Sequence, residues 1–215
     1  MIVAIDGPAG SGKGTIAKNL ARKFNLLNID TGAMYRAVTL KLLNENIDVN
    51  DKEAIIDCAR SAKIELSSDG KVLLDDKDVT SDIRSTIVTD NVSIISPIKE
   101  VRDIMKEKQR SFAKENSIVM EGRDITTEIF PNADYKFYLD ADVEVRAKRR
   151  YDENIAKGIE CDYEEILSSI KERDYNDMHR KDGALKIAKD AVYIDTTNLN
   201  IEEVTKKIVD IINKK

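Results

Sequence analysis

The chain has 215 residues, enough for one large domain, or a core carrying an insertion, that buries its own hydrophobic interior without covalent staples. Its 35 Lys and Arg against 40 Asp and Glu leave a formal net charge of -5, which argues against DNA or an acidic membrane as partner and requires any anionic ligand to meet a local positive site. Cys58 and Cys161 are far apart, His179 is the single histidine, and no apolar run nears a membrane span; disulfide frameworks, zinc fingers and His-based triads are poor fits, and a reduced, cytoplasmic protein without a secretory leader is expected.

Residues 2–5, Ile-Val-Ala-Ile, make a short β-branched run ending at Asp6 and a glycine cluster, the pattern of a buried strand feeding a loop. A helix is expected over 13–24. Further strands are read over 26–29, 118–120, 135–139 and 192–194, and helical periods over 33–45, 101–115, 143–157, 163–177 and 201–212. This alternation predicts an α/β fold with a central parallel sheet flanked by helices on both faces. Cys58, among Ile55, Ile56 and Ala59, reads as a core residue. Residues 63–79 break the alternation: Ile64-Glu65-Leu66 and Val72-Leu73-Leu74 flank Ser67-Ser68-Asp69-Gly70, a β-hairpin signal with Asp-Gly at the turn. A hairpin between helices marks an inserted subdomain, with a surface ornament as the other reading.

Gly7-Pro8-Ala9-Gly10-Ser11-Gly12-Lys13-Gly14-Thr15 follows the first strand and opens the first helix. In that context the glycines allow the backbone N–H groups to turn inward on phosphate oxygens, the helix N-terminus adds partial positive charge, and Lys13 supplies a cation for the β- and γ-phosphates. Gly14 stands where the general pattern has Ser or Thr, so whether a hydroxyl such as Thr15 meets Mg²⁺ directly or through water stays open. A GTPase would need an Asn-Lys-x-Asp segment, which the sequence lacks. A phosphotransferase needs a second anion site facing the first, to hold the acceptor against the donor's charge.

Arginines sit where such a site would lie. Asp30-Thr31-Gly32-Ala33-Met34-Tyr35-Arg36 follows the second strand, Glu121-Gly122-Arg123-Asp124 the third, and Arg173-Asp174-Tyr175-Asn176-Asp177-Met178-His179-Arg180 ends a later helix. Ligands of open α/β sheets bind at strand carboxyl ends, which would turn Arg36 and Arg123 toward the phosphate loop. Arg146, Arg149 and Arg150 lie at i, i+3 and i+4 and share a helical face.

At these residues the sequence resembles the bacterial-type cytidylate kinases of the P-loop nucleoside monophosphate kinase superfamily. The resemblance runs over nearly the whole chain, through Ile5-Asp6-Gly7-Pro8, Gly12-Lys13-Gly14-Thr15, residues 30–36, Gly122-Arg123-Asp124 and Glu172-Arg173-Asp174. It implies a single domain over 1–215, with a monophosphate-binding insertion over about 36–112 and a short arginine lid over about 146–160. The implied reaction moves the γ-phosphoryl of ATP, with Mg²⁺, to CMP or dCMP in a cytoplasmic monomer that binds neither nucleic acid nor membrane. Residues 7–15 would bind ATP, and Lys13, Arg123, Arg149 and Arg150 would be catalytic. Arg36 and Arg123 would grip the acceptor phosphate beside Tyr35. Thr31, Arg102 and Asp124 would read the cytosine, Asp124 by accepting from its exocyclic amine. Ser93, Arg173 and Asp177 would contact the sugar, and Arg180 the base or phosphate. No residue would ligate Mg²⁺ directly, its waters lying near Thr15 and Glu121. Thr31 and Glu121 stand where this family often has Ser and Asp. A kinase for another monophosphate, and a nucleotide-switch module signalling by conformation, are the competing readings.

Overall fold

The computed structural model describes residues 1–67 and 70–214. In chain order it contains β1 (Ile2–Asp6), α1 (Lys13–Phe24), β2 (Leu27–Asp30), α2 (Thr31–Asn44), α3 (Lys52–Ser61), β3 (Ile64–Leu66), β4 (Val72–Leu74), β5 (Lys77–Asp78), α4 (Thr86–Ile95), α5 (Lys99–Ser111), β6 (Ile118–Gly122), β7 (Tyr135–Asp140), α6 (Val143–Ala156), α7 (Tyr163–His179), β8 (Val192–Asp195) and α8 (Ile201–Asn213). A 3₁₀ turn at Asp82–Arg84 and a π-helical turn at Ile125–Ile129 complete it.

Five strands form a parallel sheet in the order β2-β6-β1-β7-β8, as the alternating pattern predicts. Successive side chains of a strand point to opposite faces, and here both faces are covered. Val3, Ile5, Val119, Phe137 and Leu139 pack with Ile16 and Leu20 of α1 and Val204 and Ile208 of α8. Ala4, Ile29, Ile118 and Met120 pack on the other side with α2, α3, the hairpin and α5. A strand buried on both faces has no room for polar alternation, which is why β1 reads as an unbroken apolar run until Asp6.

The hairpin strands pair antiparallel with Leu66 opposite Val72 and Ile64 opposite Leu74, and β5 adds a third strand. Pairing ends with Leu66 and Val72, so more than two residues connect the strands; Ser68 and Asp69 of the expected turn lie outside the described residues, and Gly70 has φ +88°. Val72 and Leu74 are buried in the core shared with α2, so the hairpin is built into that core and is not a surface ornament.

Two helices, α3 and α4, go beyond the sequence reading. Helix α3 is set by Asp51, whose side chain accepts from Ala54 N, and by the buried stripe Ile55, Cys58 and Ala59, a cap and a spacing that were both present in the sequence. Helix α4 is rich in β-branched residues, which favour strands; burial of Val88 and Ile95 in the same core as α2 overrides that preference. Among the described residues no helix is long and apolar enough to cross a membrane.

Candidate active site

The parallel register brings the carboxyl ends of three strands level: Asp6 lies opposite Gly122, and Asp30 opposite Glu121. The chain leaving β1 turns at Gly7, where a Cβ would lie 2.0 Å from the carbonyl oxygen of Leu139, so only glycine lets the loop pass β7 this closely. The loop ends at Gly12, the N-cap of α1, which supplies no capping side chain. The first-turn N–H groups thus stay available to an anion.

Lys13 is 5% exposed and curls back over the loop, donating from Nζ to Pro8 O at 2.7 Å and to Ser11 Oγ at 3.4 Å. Burial, and then the charge of Arg123, push its pKa down to about 7. Glu121 reaches the same loop: its Oε1 lies 3.3 Å from where a Gly14 Cβ would be. Desolvation, and then the facing Asp30, raise the Glu121 pKa. Thr15 is exposed on the first turn of α1.

Across the loop stand the arginines. Asp30 caps α2 by accepting from Ala33 N at 2.9 Å and also holds Arg36 Nη2 at 3.1 Å, while the buried Arg36 Nε has no partner. Arg123 Nε pairs with Asp177 Oδ2 at 2.7 Å and Arg180 Nη1 with Asp177 Oδ1 at 3.4 Å. Desolvation works to raise the Asp177 pKa, but Arg123 and Arg180 outweigh it and hold the carboxyl below its ordinary range. No hydrogen bond or ion pair holds Arg173 among the described residues; burial and the charges of Arg123, Arg36 and Arg150 disfavour its cation, against the attraction of Asp177.

A second cluster adjoins the first. Arg102, 2% exposed, forms an ion pair with Asp124, 7% exposed, and donates to Ser96 O at 3.3 Å. Its guanidinium carbon lies 5.9 Å from the centre of the Tyr35 ring. Burial lifts the Tyr35 hydroxyl pKa to about 12. Thr31 donates its hydroxyl to Glu121 O at 2.8 Å, leaving it able to accept. Ser93 is exposed and donates back to Asp90 O within α4 at 3.1 Å; no hydrogen bond joins it to the arginines among the described residues.

The expected shared face of Arg146, Arg149 and Arg150 is not one surface. Arg146 is buried, whereas Arg150 is exposed and pairs with Glu153 at 3.2 Å. Arg149 donates to Thr196 O at 2.6 Å and Thr196 Oγ1 at 3.2 Å. That contact brings in the turn after β8, which sequence reasoning missed: Thr196 is 2% exposed, and Ile201 Cδ1 lies 3.6 Å from a hypothetical Gly12 Cβ.

Asp6 is the other omission. Fully buried, it accepts from Ile125 N at 2.9 Å, Thr126 N at 2.7 Å and Thr126 Oγ1 at 2.6 Å. It thereby fixes the start of the π-helical turn that follows Arg123 and Asp124, a kind of turn frequent at functional sites. Burial raises its pKa to about 6.

A family model described as cytidylate kinase matches residues 3–214. The chain is 49% identical over 212 residues to a cytidylate kinase of Caldanaerobacter subterraneus subsp. tengcongensis, covering 99% of this chain and 94% of the relative. It is 47% identical to a cytidylate kinase of Fusobacterium nucleatum, covering 100% and 96%. Solved structures share the fold at low identity. An uncharacterized protein from Eubacterium ventriosum superposes at TM-score 0.53 with 17% identity, covering 100% of this chain and 99% of that one. Shikimate kinase from Bacteroides thetaiotaomicron superposes at 0.51 with 14% identity, covering 99% and 98%. With its phosphate loop facing an arginine cluster across the carboxyl ends of a parallel sheet, and with these full-length matches, the chain belongs to the cytidylate kinase family.

Proposed function

We propose that the chain transfers the γ-phosphoryl group of ATP to CMP and dCMP, giving ADP and the corresponding diphosphate. The observation that carries this reading is the buried Arg102–Asp124 pair beside arginines that face the phosphate loop: one cluster suits a base edge with both donor and acceptor, the other a phosphate. An oxygen of the acceptor phosphate attacks the γ-phosphorus as the bond to the bridging oxygen of the β-phosphate breaks, and ADP carries away the electron pair. The attacking oxygen is already anionic, so no side chain need take a proton. Catalysis is then positioning and charge neutralisation.

In this reading residues 7–15 cradle ATP and Lys13 leaves Pro8 O to follow the β- and γ-phosphates. Arg36 and Arg123 take the acceptor phosphate, which replaces Asp30 and Asp177 as their partners. Asp124 accepts from the cytosine amine, a group uracil lacks, and Arg102 donates to the ring carbonyl and nitrogen. Tyr35 and Thr31 line the base, Ser93, Arg173 and Asp177 contact the sugar of the acceptor, and Arg180 the base or phosphate. Residues 36–112 serve as the acceptor-binding insertion and the segment that follows the buried Arg146, to about residue 160, as the lid, from which Arg149 and Arg150 reach the transferring group.

Mg²⁺ fits the donor side. Glu121 offers a carboxylate with no hydrogen bond from the protein among the described residues, beside Gly14 of the loop. When bound with ATP, the ion would neutralise charge on the β- and γ-phosphates. An assay of ADP release with ATP against CMP, dCMP, UMP, AMP and GMP tests the function: release dependent on CMP and dCMP supports it. Slow hydrolysis indifferent to acceptor would indicate a switch, and another preferred acceptor a different monophosphate kinase.

A further inference from the structure

The phosphate loop and helix α7 are joined by a buried ion pair that the transfer reaction itself does not use. Arg146, on the first turn of α6, reaches three segments at once. Its Nε donates to Ala141 O at 2.8 Å, its Nη1 to Ala9 O of the phosphate loop at 3.1 Å, and its Nη2 pairs with Asp174 Oδ2 on α7 at 2.6 Å. The two side chains are only 6% and 12% exposed. A Cβ on Gly10, whose φ is +78°, would lie 3.1 Å from Arg146 Cβ, so the loop backbone rests on α6 with no side chain between. The other oxygen of Asp174, Oδ1, is buried without a partner.

Such a pair is a poor source of stability. Desolvation of two charges offsets their attraction, and apolar packing would serve as well. What a guanidinium fork does supply is direction, since three bonds from one planar group fix three segments relative to each other. The third segment matters because α7 also carries Arg173, the neighbour of Asp174 and held by no hydrogen bond or ion pair among the described residues, and Asp177, one turn on, which holds Arg123.

We propose that Arg146 and Asp174 are positioning residues that couple donor binding in the phosphate loop to the acceptor arginines carried or held by α7. A shift of Ala9 when a triphosphate fills the loop passes through Arg146 to Asp174, and so to Arg173. The coupling is reciprocal, so each ligand tightens the other. This rests on the reading of the acceptor site given above.

Calorimetric titration of CMP, with and without a non-hydrolysable ATP analogue, tests it in the unmodified protein, Asp174→Asn and Arg146→Lys. The unmodified protein should bind CMP at least about 5-fold tighter with the analogue present. Both variants should bring that ratio within about twofold of one while binding each ligand alone within about threefold of normal. A ratio of one in the unmodified protein, an unchanged ratio in the variants, or loss of binding of each ligand alone would overturn the proposal. If circular dichroism shows Asp174→Asn unfolded, Arg146→Lys decides; failure of both to fold makes the pair structural and also overturns it. Absence of CMP-dependent ADP release from the unmodified protein would refute the functional reading, whereas intact release with unchanged coupling in the variants refutes the coupling alone.

Discussion

Lys13 is held against the backbone of its own loop, with burial lowering its pKa to about 7. A polyphosphate favours the charged amine, so ATP binding at pH 8 should take up about one proton per site, read from calorimetry in buffers of different ionisation enthalpy. Lys13→Met should abolish that uptake and lower turnover by roughly 10²- to 10³-fold with the fold intact; unchanged uptake in the variant would assign the proton elsewhere. Asp124→Ala should shrink the preference for CMP over UMP by roughly 10- to 150-fold, the equivalent of about 1.5–3 kcal/mol for a hydrogen bond to a charged group. An unchanged ratio would remove Asp124 from base reading. Asp6 works through pH. Its pKa is raised from 3.8 to about 6, so between those values the folded state holds a proton that the unfolded state has released. Stability therefore falls as pH rises from 4 to 6, by on the order of 3 kcal/mol from this group, and denaturation of Asp6→Asn over that window should show a flatter profile.

At the scale of elements, the strands and most helices were legible because their signals are local: apolar runs ending in acids or glycine, and 3.6-residue periods. Helix α2 begins at Thr31, two residues before the expected start, because Asp30 caps it. Helix α4 was illegible, since its β-branched residues favour the wrong element and only packing against α2 decides the outcome. The hairpin was visible as an element, but its place in the core was not. Leu74, 5% exposed in that core, should cost about 2–5 kcal/mol when replaced by Ala, measured by urea unfolding; a loss under 1 kcal/mol would return the hairpin to the status of an ornament. Helix α8 starts at a capping box between Asn200 and Glu203, and Asn200→Ala should lower stability by about 1 kcal/mol.

For the whole molecule, the net charge of -5 and an anionic substrate are reconciled by placement. Arg36, Arg123, Arg173 and Arg180 converge at the strand ends, where Asp30 and Asp177 balance part of their charge. The candidate site was legible wherever one motif carries both fold and the proposed chemistry, as in residues 7–15 and 122–124. It was illegible where partners meet across long sequence separations. Arg146 reads as a lid residue until its contacts with Ala9 and Asp174 are seen. Asp6 reads as the end of a strand until it is found holding Ile125 and Thr126. The measurement that bears most directly on the central claim is ADP release from ATP across a panel of nucleoside monophosphates. The account predicts release driven by CMP and dCMP and weak with UMP, AMP or GMP; release that ignores the acceptor, or prefers a purine monophosphate, would contradict it.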